Sequence, residues 1–425
     1  MPHQFTLPYA KLLDEKDNLK SYRDKFYIPI VGDKEGIYFL GNSLGLQPKT
    51  AQNEVLNVME NWANYGVEGF FMGDEPWLDY HKEITPLIAN IVGAKPHEVV
   101  TMNHLTVNLH LMMISFYNPT ATRYKIICEA KAFPSDQYAF QSQIKMHGLN
   151  IKDCIVEVQP KAGTECITTE DILAVIQEHK ETVALVCFSG INYYTGQVFD
   201  IKKITEAAQA NGAYAGFDLA HAAGNIPLQL HNWNVDFACW CNYKYLNSGP
   251  GAIAGAFVHT QHLQNKNLKR LEGWWGNDMS NRFKMEKTFT PTPTAEAWQM
   301  STAPMMLLAA HKASLNIFAE AGFKNLVIKS KQLSEYLFFV LNQINTNNYF
   351  KIITPTNPDE RGCQVSITLH NNAKIVFDEL IKNGIFADWR EPNVIRVAAI
   401  PLYNTFEDIY FFGTILQHLL AKNNV

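Results

Sequence analysis

The sequence predicts an α/β protein: a large domain with a mostly parallel sheet wrapped by helices, then a smaller α+β domain at the C-terminus. Three observations carry that reading. Short apolar runs rich in β-branched and aromatic residues recur between residues 125 and 258, separated by helical or loop segments. Each run is continuously apolar and does not alternate with polar residues, as strands covered on both faces require. Beyond about residue 303 the texture changes to long amphipathic helices, and a composition 47% hydrophobic and only 18% charged over 425 residues suits extensive burial.

Taken in order, residues 1–50 read as an irregular arm. From Gln52 to Trp62, Val55, Met59 and Trp62 recur at helical spacing. YKIICEA, DCIVEV, VALVCF, AYAGF, DFACWC and AIAGAFV then supply the strands of a large domain over 51–302. PMMLLAAHKASLNIFAEAG and LVIKSKQLSEYLFFVLNQI open a small domain over 303–425 as two helices. Its strands are CQVSITL, IFADWR and VIRVAA, and its further helix AKIVFDELIKNG stops at Gly384.

Composition excludes several functions. Lys plus Arg number 36 against 41 for Asp plus Glu, a net charge of -5, so no basic excess is available to hold a nucleic acid. The cysteine count of 7 is odd and contains no CxxC pair, which fits neither a disulfide framework nor a zinc ribbon and points to a reducing cytoplasm. No window reaches the roughly 20 apolar residues of a membrane span, and the N-terminus lacks the pattern of a secretory signal. HExxH, Walker, GxSxG and GxGxxG patterns are missing, and no metal is expected.

Candidate chemistry gathers at strand ends. Asp218 closes the run AYAGFD, where a carboxylate would lie in the crevice in which open α/β sheets bind ligands; a helix N-cap is the competing explanation. Lys244 follows the run DFACWC between Tyr243 and Tyr245, the surroundings of an amine that forms a Schiff base, although most lysines after strands are simply solvated. Together the two resemble the pyridoxal phosphate arrangement, with Asp on the pyridinium nitrogen and Lys on the aldehyde carbon. At Asn103 a loop enters a helix, so the amides of Leu105 and Thr106 and the Thr106 hydroxyl could meet an anion; an ordinary Thr cap is the alternative. In AFPSD, Phe133 could stack on a cofactor ring or be a core aromatic, while Ser135 or Asp136 could be a helix cap.

GNSLGLQPK, NHLTVNLHLMM, FPSD, YYTGQ, GFDLAHAAGN, VDFACWCNYKYLNSGPGAIAGAFVH, GWWGN, RGCQVSI and IRVAAIPLYNTFEDIY occur in this order from about residue 38 to the C-terminus. Together they resemble kynureninases, and CWCNYKYLNSGPG is the most specific block. The resemblance implies a fold type I pyridoxal phosphate enzyme, a cytoplasmic homodimer with shared active sites, that cleaves kynurenine or its 3-hydroxy derivative to alanine and an anthranilate. It implies Lys244 as the Schiff-base lysine, Asp218 as the pyridine partner and Tyr243 as a proton relay. Leu105, Thr106, Phe133, Pro134, Ser135, Asp136, Ser189, His221 and Tyr243 are implied around the cofactor, with Trp274 and Thr302 reaching its phosphate from the second subunit. Arg396 is implied for the substrate carboxylate, with Phe70 and Ser301 on the substrate side.

Phe70 stands where many such proteins carry a His, and Thr302 where 3-hydroxy-preferring animal members carry Asn. Both changes remove polar partners for a ring hydroxyl, which favours kynurenine itself. Another enzyme of the same fold, such as a cysteine desulfurase with Cys363 as its thiol or an aminotransferase, is the near alternative. A non-catalytic binding protein is the distant one.

Overall fold

The computed structural model describes residues 2–422. The arm contributes a helix, Leu7–Glu15 (α1), and Ala51–Tyr65 (α2) follows. The large sheet is built from Val99–Thr101 (β1), Lys125–Glu129 (β2), Ile155–Val158 (β3), Val183–Ser189 (β4), Tyr214–Asp218 (β5), Phe237–Cys241 (β6) and Ala254–Val258 (β7). Its spatial order is β1-β7-β6-β5-β4-β2-β3. The ladders from β6 through β3 are parallel, whereas β7 runs antiparallel to both β6 and β1. The run AIAGAFV is therefore reversed within the sheet. A parallel return needs a crossover, usually helical, and the segment from 242 to 253 carries no helix, so the chain folds back beside β6.

Alternate residues of these strands enter different cores, which explains the continuous apolar runs. Ile126, Cys128, Leu185, Cys187, Phe237 and Cys239 pack beneath Leu105–Phe116 (α3) and Pro134–Met146 (α4). Ile127, Val186, Phe188, Ala238 and Trp240 face the opposite side, in the core that Val58 of α2 also joins. The thiols in these strands thus serve as small hydrophobes.

Two long helices follow, Met305–Ala321 (α5) and Phe323–Ile344 (α6). They meet at Gly322, whose φ of +75° lets the chain turn between them without a side-chain clash. The second sheet contains Phe350–Ile352 (β8), Gln364–Leu369 (β9), Asp388–Arg390 (β10) and Val394–Ala398 (β11) in the order β8-β9-β11-β10, all antiparallel. Helices Ala373–Lys382 (α7) and Phe406–Lys422 (α8) cover it with α6. IFADWR, expected as one strand, is split: Ile385–Phe386 pairs in parallel with Ile37–Tyr38 of the arm, and Asp388–Arg390 pairs with β11. A run of six residues does not show that its halves have different partners, because the pairing is set by segments distant in sequence.

The arm is fastened to this second layer. Ala10 of α1 lies in its core, and the Asp14 carboxylate accepts from the amides of Phe406 and Glu407 at 2.8 and 2.9 Å, capping α8. No described helix is long and apolar enough to cross a membrane.

Candidate active site

Neighbouring parallel strands end at one crevice. The chain runs from β2 outward to β3 and then returns to β4 on the other side of β2, so the strand order reverses there, the place where open α/β sheets bind ligands. Glu129 ends β2, Ser189 ends β4 and Asp218 ends β5, with Ser189 directly beside Asp218 in the ladder. Lys244 follows β6. The cavity enclosed is about 230 Å³ and is lined by these four residues together with Leu105, Thr106, Phe133, Ser135, Asp136, Tyr193, His221 and Tyr243.

Two helices aim their N-termini at it. The N-cap of α3 is His104, without a side-chain cap, so Thr106 is not the cap that its sequence also allowed; its hydroxyl lies 2.7 Å from Ser135 Oγ of α4. The N-cap of α4 is Phe133, with Pro134 as first helical residue, so neither Ser135 nor Asp136 caps this helix. Phe133 is 41% exposed and is not a core aromatic. Adjacent helix N-termini, with the hydroxyls of Thr106 and Ser135 between them, favour an anion there.

Electrostatics are set by burial. Lys244 Nζ lies 3.1 Å from His221 Nε2, and over the rings of Phe133 and Tyr243 at 5.9 and 5.8 Å. Burial pushes protonation of His221 well below its ordinary range, and the charge of Lys244 adds to this, so the imidazole is neutral. Burial raises Asp218, opposed by Lys244 and by the Ala220 amide that donates to its Oδ1 at 2.7 Å. Burial raises Asp136 further, reinforced by the neighbouring Asp218, so Asp136 is the carboxyl that keeps its proton. Glu129 is pushed up to about 7, first by burial, while the Ser189 amide donates to its two oxygens at 3.1 and 3.2 Å. The Tyr243 phenol is raised by burial and holds its proton.

Other expected site residues lie elsewhere in the single chain. Arg396 is fully buried on β11; its Nη2 lies 2.8 Å from Asp388 Oδ2, and its Nη1 donates to the Tyr193 carbonyl at 2.6 Å. It therefore touches the pocket wall without lining the pocket. Phe70 packs edge-on against Trp77 at 5.3 Å, and Trp274 Nε1 donates to the Arg282 carbonyl at 2.9 Å. Ser301 accepts from Gln299 through its carbonyl, and neither it, Thr302, Trp274 nor Phe70 lines the cavity.

Sequence reasoning missed Tyr193 and Glu129. Tyr193 sits in the quoted YYTGQ and packs edge-on to Phe133 at 5.2 Å. Glu129 ends an apolar strand in the same way as Asp218, a signal that could have found it. Cys363 is fully buried and its thiol is pushed up by burial, which removes the thiolate a desulfurase would need. Glu98, His231 and His259 bring metal-ligand atoms within 4.8 Å of one another. Glu98 is fully buried there, and already accepts from the Lys95 and Thr260 amides and pairs with His231 Nδ1.

Among the described residues, His221 Nδ1 is buried in the pocket without a hydrogen-bond partner. With an amine, an adjacent buried carboxylate and paired helix N-termini, the residues suit a cofactor that brings a ring nitrogen, an aldehyde and a phosphate. The backbone resembles a complex of the cystine C-S lyase C-DES with cysteine persulfide (TM-score 0.74, 18% identity, 90% of this chain and 97% of that one). It also resembles the cysteine desulfurase CsdA from Escherichia coli (TM-score 0.73, 14% identity, 95% and 99%). Fold and site together define a fold type I enzyme whose cofactor is pyridoxal phosphate. Kynureninases of Flavobacterium psychrophilum (54% identical, all of both chains), Myxococcus xanthus (48%, 96% of both) and Nematostella vectensis (46%, 96% of this chain and 93% of that one) are similar, and residues 326–416 match the kynureninase C-terminal domain. The chain belongs to the kynureninase family, hydrolases that act on carbon–carbon bonds in ketonic substances.

Proposed function

We propose that this chain, as a cytoplasmic homodimer, hydrolyses L-kynurenine in preference to its 3-hydroxy derivative, releasing L-alanine and anthranilate. One observation carries the assignment of roles: an amine and a buried carboxylate beyond adjacent parallel strands share a cavity with two helix N-termini. Lys244 would anchor the cofactor and Asp218 would hold the proton of its ring nitrogen. Phe133 would stack on the ring. The amides of Leu105 and Thr106, with the hydroxyls of Thr106, Ser135 and Ser189, would hold its phosphate, aided by Trp274 and Thr302 of a second subunit. Asp136 and His221 complete the wall, whereas Pro134, expected at the cofactor, does not line this cavity and starts the helix beside it.

Bound pyridoxal phosphate supplies an electron sink that makes the substrate Cα–H acidic. The Nζ of Lys244, released by the substrate amine, takes that proton. His221, neutral and 3.1 Å away, positions Nζ without adding a like charge. Asp218 supplies the negative charge that keeps the ring nitrogen protonated. Water would add to the γ-carbonyl, so that the acyl carbon gains a C–O bond as it loses Cβ and leaves as the carboxylic acid, and the Tyr243 phenol, which retains its proton, could deliver that proton to the alanyl carbon. Arg396 presents the fork for the substrate carboxylate, which must share or displace the ion pair with Asp388. Phe70 and Ser301, which do not line the cavity of their own chain, would lie on the substrate side in the dimer, where the apolar Phe70 offers no partner for a ring hydroxyl.

Protein incubated with pyridoxal phosphate and kynurenine should release fluorescent anthranilate. Lys244→Ala should lose the borohydride-sensitive absorbance and lower turnover by about 10²–10⁴-fold or more. Full turnover in that variant overturns the role of Lys244. A higher kcat/KM for 3-hydroxykynurenine overturns the preference.

A further inference from the structure

A second cavity of about 230 Å³ lies apart from the lysine pocket, between the segment that follows β4 and the α6 side of the second sheet. Phe199, Ile226, Trp233 and Pro358 give it flat apolar walls, and Arg361 of the RGCQVSI motif faces it. Arg361 is only 6% exposed. Its Nε donates to Ser334 Oγ at 2.8 Å, its Nη1 to the carbonyls of Pro355 and Thr356, and its guanidinium lies 4.0 Å from the Phe338 ring centre.

Among the described residues Nη2 makes no hydrogen bond and no carboxylate forms an ion pair with Arg361. The field of Glu335 reaches it from beyond ion-pair distance. The acids that line the cavity are already matched, Asp200 by Lys203 at 3.3 Å and Asp359 by Lys331 at 2.6 Å. A buried cation without a counter-ion is costly, and a monovalent anion in the cavity would complete it.

We propose that this cavity is a second small-molecule site that takes a small aromatic monocarboxylate, its carboxylate on Arg361 and its ring against Trp233 and Phe199. Size supports the class: a dry cavity of about 150 Å³ accepts benzene, and drug-sized ligands occupy roughly 300–1,000 Å³. The site is wired to the catalytic one. Asn225 lines the cavity, donates through Nδ2 to the His221 carbonyl at 2.9 Å and accepts from the Cys363 amide at 3.1 Å. A Cβ on Gly362 would fall 2.4 Å from Asn225 Nδ2, so the segment leading into β9 fits closely against this side chain. An occupant that shifts Asn225 therefore shifts His221 against Lys244.

The test is calorimetric titration of the holoenzyme with benzoate. Binding should be retained in Arg396→Gln, which alters the catalytic pocket, and weakened by about tenfold or more in Arg361→Gln and in Val327→Trp, which fills the second cavity. Val327 lines this cavity and not the lysine pocket, and a cooperative thermal unfolding transition like that of the wild type reports that Val327→Trp is folded. Binding that survives both cavity variants, that disappears in Arg396→Gln alone, or that is not seen with the wild-type enzyme at millimolar benzoate overturns the proposal.

Discussion

Buried carboxyls around a single amine decide the ionisation of the site. Asp218 and Asp136 share one low-dielectric space, so both cannot carry charge, and Lys244 favours ionisation of Asp218. Asp136 then acts as a neutral donor to Asp218. Two substitutions separate the roles. Asp136→Asn keeps a donor of the same shape and should leave kcat within about tenfold of wild type, whereas Asp218→Asn removes the charge facing the ring nitrogen and should lower it by about 10²–10³-fold. Steady-state kinetics at saturating pyridoxal phosphate measure both, and equal losses would refute the division. Asp218 and Lys244 could be found in the sequence because the first ends a continuous apolar run and the second closely follows one. The protonation of Asp136 could not, since it depends on a partner more than eighty residues away.

At the scale of elements, the loop after β6 is held from two sides. Gly45 of the arm donates to the Tyr243 carbonyl at 2.8 Å, and a Cβ there would lie 2.4 Å from the Lys244 carbonyl oxygen, so only glycine permits this approach. From α5, His311 Nδ1 meets Ser248 Oγ at 2.7 Å in a fully buried setting. Burial pushes protonation of His311 down to about 3. The unfolded chain takes up this proton below about pH 6.5, but the native chain does not. Stability from this group is complete above that value and falls with pH through the window down to about 3, by roughly 1 kcal/mol per unit. His311→Asn, which keeps a polar partner for Ser248, should flatten the acid limb by one proton in urea unfolding at a series of pH values. An unchanged limb would show that other groups control it.

The whole molecule is tied together by the arm, and the proposed homodimer would complete its site. Lys329 of α6 and Asp17 of the arm form an ion pair at 2.7 Å with both side chains almost wholly buried. Asp17→Asn leaves the ammonium uncompensated and should cost about 3 kcal/mol in chemical denaturation, because removing one partner is worse than replacing both. A loss below about 0.5 kcal/mol would mean that water reaches Lys329. Trp274 and Thr302 do not line the lysine pocket of their own chain, and in the proposed homodimer they would come from across the interface. Mixing inactive Lys244→Ala and Trp274→Ala proteins under subunit exchange should then restore about a quarter of wild-type activity, since half of the dimers are mixed and each has one intact site. No recovery in exchanged dimers would place Trp274 within its own subunit's site.

The sequence by itself determined the α/β class, six of the seven strands of the large sheet (all but Val99–Thr101), the Asp218 and Lys244 pair and the loop that enters a helix near Asn103. These are local properties, written in apolar periodicity and in the residue that ends each run. Tertiary structure alone decided the reversal of β7, the division of IFADWR between two partners and the pairing of Arg396 with Asp388. It also brought Glu129 and Tyr193 to the pocket and left Arg361 facing a cavity without a counter-ion among the described residues. Each of these depends on which distant segments become neighbours, and burial gives the groups their charge state only after that choice is made.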